Sequence, residues 1–215
     1  MAVRKLALRR KKVSIFEIGA SMGENYLLLK DVMRRENLDV EVEFVGIDTD
    51  QNAVELAREL HHGDPNFTMI LGDGADLSRF PDRCFDVVCS NGVLNYVDNP
   101  ESAFGNAVRL ARVCAVLNIL FSRTETSFVV TYTGLERALA VTKSIILREV
   151  APHSPIFIYD LNQYWGFQDF SRASEGSDGI FIGGATPNDM ERKMLVFSTS
   201  IRSLKTCFWG SVSSH

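Results

Sequence analysis

The sequence predicts an α/β fold, a doubly wound and mostly parallel sheet with helices on both faces. Three observations predict it. Short β-branched runs alternate with longer stretches of helical period, as strand–helix cycles do. The 215 residues are 46% hydrophobic, enough for one sizeable core and one domain. Finally, the residues after each of the first four strands are small or acidic, and such sheets bind their ligands at these ends.

Val13 to Ile18 (VSIFEI) is the first strand, and Gly19 to Gly23 is a turn. A helix follows over 24–36, with Tyr26, Leu29 and Met33 as its apolar stripe. Val42 to Ile47 is the second strand, closed by Asp48. Asp50 then caps a helix whose Ala53, Leu56, Ala57 and Leu60 recur at helical spacing, ending at His61, His62 and Gly63. Strands three and four are Phe67 to Leu71 and Phe85 to Ser90, the latter followed by a loop, NGVLNYVD. Asn99 as cap with Pro100 at the first helical position opens another helix, with Phe104, Ala107, Val108 and Ala111 on one face. Val113 to Phe121 is the fifth strand.

In the second half, 135–150 has helical composition, and Pro152 and Pro155 break the chain before an aromatic run. A helix is expected near 160–170, a short strand near 179–182 and a last strand over 194–200.

The net charge is −4, yet the first twelve residues hold six of the 23 basic residues and none of the 27 acids. Arg192, Lys193, Arg202 and Lys205 make the other end basic too, so residues 13–191 carry −14. The leader is too charged for a secretory signal, whose apolar stretch runs to about ten residues, and it reads as a basic cover on an acidic domain. The longest apolar run, Val113 to Phe121, is too short to span a bilayer, which needs roughly 20 residues. Cys84, Cys89, Cys114 and Cys207 show neither a C-x-x-C pair nor zinc-ligand spacing. They read as free thiols of a cytoplasmic protein with no structural metal.

The strand ends read E17-I-G19-A-S21-M-G23, D48-T-D50, G72-D73-G74 and S90-N91-G92. Glycines at 19 and 23 allow close backbone approach and leave N–H groups at a helix start. Asp48 lies 25 residues after Gly23, where a nucleoside site needs an acceptor-only carboxylate for two ribose hydroxyls. Asp73 is placed to accept from an exocyclic adenine amine. Glu17, a carboxylate in an apolar strand, requires a partner.

IFEIGASMG, VGIDTD, LGDGADL and FDVVCSNGVLNYV, in this order and spacing over residues 13 to 121, resemble class I S-adenosylmethionine-dependent methyltransferases. The resemblance implies a seven-stranded Rossmann-like sheet whose last strand is antiparallel. It implies S-adenosylmethionine as cofactor, with Glu17, Gly19, Ser21 and Gly23 around the methionine moiety and Asp48 with Thr49 at the ribose. Asp73 and Gly74 would meet adenine, and Asn91 would border the transferred methyl. Ser21 replaces the family's middle glycine. The segments expected are a basic 1–12, a domain over 13–200 (cofactor half 13–121, substrate half 122–200) and a tail, 201–215.

Asn95 and Tyr96 are candidates for the acceptor side. The acceptor expected is a small molecule or glycan-like group, because SNGVLNYV lacks the N-P-P-Y or D-P-P-Y associated with methylation of amide or base nitrogens in related enzymes; nucleic acid is not expected as a partner. Two alternatives stand beside this reading. One is a protein that holds S-adenosylmethionine without transferring methyl. The other is an α/β serine hydrolase, since G19-A-S21-M-G23 also spells a nucleophile elbow, with His153 downstream. Only twelve residues precede the strand, however, whereas an elbow follows earlier strands. An NAD-linked enzyme would need G-x-G-x-x-G where the chain reads GASMGE.

Overall fold

A computed structural model describes residues 6, 9–122 and five short strands beyond them: 128–131, 137–140, 156–160, 180–181 and 190–198. Five strands, β1 (Lys12–Ile18), β2 (Glu41–Asp48), β3 (Phe67–Leu71), β4 (Phe85–Asn91) and β5 (Ala111–Ser122), pair in parallel in the order β3-β2-β1-β4-β5. The order reverses beside β1, which makes the gap between β1 and β4 the switch point. Helices α1 (Glu24–Arg35), α2 (Gln51–Leu60) and α3 (Pro100–Leu110) connect them.

Alternation along β1 divides the core into two faces. Phe16 and Ile18 join Val88, Ala115 and Leu117 under Phe104, Ala107 and Leu110 of α3. Val13 and Ile15 join Phe44, Val87 and Cys114 under Tyr26 and Met33 of α1 and Val54 and Ala57 of α2. Asp50 caps α2 by accepting from the N–H groups of Asn52 and Ala53, and Asn99 caps α3 by accepting from Ser102. Both caps stand where the sequence puts them.

Three expectations need correction. The buried stripe of α2 is Val54, Ala57 and His61, while Leu56 and Leu60 face outward. The helix is turned this way because His61 stacks on Phe67 and the Arg58 guanidinium donates to the Met69 carbonyl. Ala111 is the cap residue after α3, with extended backbone, and already belongs to β5. Within the 135–150 stretch of helical composition, residues 137–140 form a strand instead, β7 (Arg137–Ala140), which pairs antiparallel with β6 (Phe128–Thr131).

On the far side of β5 the sheet order continues with β10 (Met190–Ser198) and then β8 (Ile156–Asp160), each pair antiparallel, while β9 (Ile180–Phe181) pairs with β6. The helix expected near 160–170 lies outside the described residues. No helix among the described residues is long and apolar enough to cross a membrane.

The leader is tied to the amino edge of the sheet. Leu6 is buried in the core face under α1, and Arg10 forms an ion pair with Asp86 at the start of β4. Asp86 also accepts from the backbone N–H and hydroxyl of Ser14 and from Arg112. Burial works to raise the Asp86 pKa, but these donors outweigh it and hold the carboxyl below its usual value.

Candidate functional site at the carboxyl ends of the strands

Because β1 to β4 are parallel, Glu17, Asp48, Asp73 and Asn91 all reach the same edge of the sheet. The turn after β1 is drawn across β2: Gly19 and Ala20 both donate their N–H groups to the Ile47 carbonyl, at 2.8 and 3.1 Å. Gly46 makes room for that crossing, since a Cβ there would lie 2.7 Å from both Ala20 Cβ and Met69 Sδ. A glycine inside an otherwise apolar strand is the signal for such an approach.

Gly19, Ser21 and Gly23 all have left-handed backbone, with φ of 73°, 48° and 81°. Glycine adopts this freely, whereas Ser21 does so at a cost of roughly 1 kcal/mol. The Ser21 N–H donates to Asp48 Oδ2 at 2.8 Å, and the Asp50 N–H donates to Asp48 Oδ1 at 3.0 Å. The Asp48 carboxylate is thereby fixed on both oxygens, each of which retains accepting capacity toward the cleft. Thr49 follows it, exposed. Gly23 caps α1 without any side-chain hydrogen bond, so the first N–H groups of that helix are left for a ligand.

Glu17 is buried at 1% exposure. One oxygen accepts from Asn25 Nδ2 at 2.5 Å, and Oε2 is buried with no partner among the described residues. Burial, opposed by the Asn25 bond and assisted by Glu24 and Asp48, pushes its pKa up to about 7. A buried acceptor with an open lone pair beside uncapped helix N–H groups fits the zwitterionic end of an amino-acid moiety. The Cys89 thiol, opposite Glu17 in the register, is pushed up by burial and by that carboxylate, and so is kept as an inert thiol.

Asp73 is exposed and closes its own turn by accepting from the Ala75 N–H at 2.8 Å. Gly74 is buried against β1, where a Cβ would lie 2.4 Å from Ile18 Cγ2. Ser102 and Asn106 of α3 donate to the Gly74 and Ala75 carbonyls, clamping this loop from above. After β4, Val93 covers Gly19, Asn95 is buried and Tyr96 is 42% exposed. Asn91 accepts from Asn118 of β5 at 2.7 Å.

Sequence reasoning missed Gly46, Asn25 and Asn118. The first had a readable signal in its position within VGID; the other two are brought in by helix phase and strand register. Ser21 Oγ has no histidine hydrogen bond among the described residues, and His61 is packed between Tyr26 and Phe67 beneath Gly23. His153 lies outside the described residues. No group of three metal-ligating side chains occurs among the described residues.

Residues 16–117 match a family described as a methyltransferase domain. No curated protein matches the chain. Among solved structures, the chain is similar to the [4+2]-cyclase SpnF (TM-score 0.60, 16% identity, 92% of this chain and 80% of that one). It is similar to the N-terminal domain of EvdMO1 with SAH bound (TM-score 0.58, 15% identity, 93% and 81%). A third similarity is to a putative sarcosine dimethylglycine methyltransferase from Galdieria sulphuraria (TM-score 0.58, 11% identity, 92% and 82%). At these identities the likeness is one of fold.

Proposed function

Because residues 16–117 are a methyltransferase domain of the class I, S-adenosylmethionine-dependent family, we propose that the chain transfers a methyl group to a small-molecule or glycan-like acceptor. The enzyme class and the cofactor follow from the family; the acceptor and the residue roles are our reading. The observation that carries it is the buried, unpartnered Oε2 of Glu17 at the end of β1.

When bound, the cofactor supplies an activated methyl on a sulfonium, and the protein supplies position and electrostatics. Glu17 accepts from the amino group of the methionine moiety, while the turn through Gly19, Ser21 and Gly23 lets the backbone lie close against that moiety and the open N–H groups of α1 receive its carboxylate. Asp48 and Thr49 hold the ribose hydroxyls. Asp73 and Gly74 bind adenine, the loop being held from behind by Ser102 and Asn106. Asn91 borders the methyl, and Asn95 and Tyr96 stand on the acceptor side.

We read 13–121 as the cofactor half and 122–200 as the substrate half of one domain, with 1–12 and 201–215 as basic flanks. The pairing of β10 between β5 and β8 supports a seven-stranded sheet with an antiparallel last strand. Cysteine usage supports a reducing, cytoplasmic setting.

Calorimetry with S-adenosylhomocysteine tests the reading. Binding that Asp48→Ala weakens at least tenfold is expected; no binding at millimolar ligand, or binding indifferent to Asp48→Ala, overturns it.

A further inference from the structure

The register of β4 and β5 places Asn91 directly beside Asn118, both toward the carboxyl ends of their strands. Alternation puts them on the sheet face that carries α1 and α2, since Cys89 and Val116, two residues back on each strand, pack against that face. Glu17 shares the face, opposite Cys89 and two residues beyond Ile15. Among the described residues, two buried acceptor atoms without partners therefore stand on one face, Glu17 Oε2 and Asn118 Oδ1. They are two strand spacings apart across the sheet, on the order of 10 Å.

The amide nitrogen of Asn118 is already used, donating to Asn91 Oδ1 at 2.7 Å. That bond fixes the plane of the amide and leaves its oxygen open. A buried acceptor with no donor costs about 1–3 kcal/mol, and such an atom in a native fold calls for an explanation. A ligand that brings the missing donor is one, and the place is the carboxyl end of β4 where it lies against β5, next to the residue that borders the methyl.

The chemistry of an amide oxygen narrows that ligand. It accepts a hydrogen bond but does not take up a proton at neutral pH. The group that meets it must carry a hydrogen to donate and must be nucleophilic while keeping it. A neutral amine satisfies both conditions, its N–H held and its lone pair free. An alcohol has to lose its proton before it attacks, and a thiolate has nothing to donate. The acids at this edge, Glu17, Asp48 and Asp73, also favour the approach of an amine in its cationic form.

Resting on the methyl-transfer reading above, we propose that Asn118, oriented by Asn91, is a specificity residue that receives an N–H of the acceptor, and that the acceptor is a primary or secondary amine. The amine lone pair forms the new N–CH3 bond as the S–CH3 bond breaks, its electron pair staying on sulfur. The products are a methylated ammonium and S-adenosylhomocysteine, and the ammonium proton passes to water. No protein base takes part.

The test uses the full chain, Asn118→Leu and Asn118→Asp. Calorimetry with S-adenosylhomocysteine comes first, and binding unchanged in both variants is expected. Two matched acceptor series, 2-phenylethyl and propyl, each as amine, alcohol and thiol, are then supplied with S-adenosylmethionine, and release of S-adenosylhomocysteine is followed. Amine-dependent release should exceed that with alcohol or thiol, and Asn118→Leu should lower it at least tenfold. Asn118→Asp keeps the acceptor but holds the ammonium form, so KM for the amine and kcat should both fall below the amine pKa, a split that a structural role would not produce.

Greater release with alcohol or thiol, amine turnover untouched by Asn118→Leu, or no amine turnover by a chain that binds S-adenosylhomocysteine would each overturn the proposal. Should Asn118→Leu fail to bind S-adenosylhomocysteine, the acceptor series with the unaltered chain and the Asn118→Asp profile still decide. Failure of the unaltered chain to bind S-adenosylhomocysteine counts instead against the methyl-transfer reading.

Discussion

Asp48 Oδ2 accepts the backbone N–H of Ser21 at 2.8 Å, so the acid that ends β2 also holds the turn that ends β1. Its other oxygen takes the Asp50 N–H. In Asp48→Asn one of these two N–H groups must face an amide NH2. The protein without ligand should lose about 1 kcal/mol, the lower end for an unpaired donor because water reaches the site. An unshifted urea midpoint would show that the carboxylate serves the ligand alone.

Ser21 carries the cost of a left-handed backbone that glycine would not. Ser21→Gly should raise Tm by about 3 °C, a gain of roughly 1 kcal/mol in a chain of this size. Ser21→Ala keeps the strain and should leave S-adenosylhomocysteine binding intact. An esterase activity that Ser21→Ala abolishes would point to the hydrolase reading instead.

Glu17 has a raised pKa in the folded chain, so its contribution to stability is full below its unfolded value near 4.5 and is lost as pH rises through about 7. Glu17→Gln should remove that slope and make the protein without ligand more stable above pH 7, by on the order of 3 kcal/mol at most. The same variant should weaken S-adenosylhomocysteine binding. Parallel stability–pH curves for the two proteins would rule out the buried, half-paired carboxyl.

Gly74→Ala puts a Cβ into Ile18 behind the loop that follows β3. Overpacking of this kind costs about 1–3 kcal/mol, and the loop clamped by Ser102 and Asn106 has little freedom to retreat. A lowered denaturation midpoint together with weaker S-adenosylhomocysteine binding is expected. Full affinity in a destabilised variant would separate the loop from the cofactor.

Asp86→Asn removes the buried charge that Arg10, Arg112 and Ser14 share. A loss of about 2 kcal/mol is expected, since both arginines are half-exposed and water replaces part of what they lose. The carboxyl is held below its usual pKa, so its contribution is present at neutral pH and fades as pH falls through the folded value. S-adenosylhomocysteine affinity should not change; a change would mean that the amino edge communicates with the cleft.

Much of the fold was legible because local signals and tertiary packing agree. Asp50 and Asn99 cap helices by chemistry contained within three residues, and the strand ends follow from parallel order alone. The face of α2 was misread because Leu56 and Leu60 outweigh Val54, Ala57 and His61 in apolarity; the stack of His61 on Phe67 decides the phase. Residues 137–140 have helical composition, yet pairing with 128–131 overrides it. Of the site, the acids and glycines that end strands were visible. Asn25 and Asn118 were not, because each acquires its partner from another element.

The carboxyl cluster around Asp86 and the cleft around Asp48 lie at opposite ends of the same strands, about 17 Å apart along β4. Robustness and chemistry are thus assigned to different rims. Substitutions that reinforce the amino rim can offset the strain that Ser21 and Glu17 impose at the other, leaving acceptor preference free to be altered by mutation without loss of the folded chain.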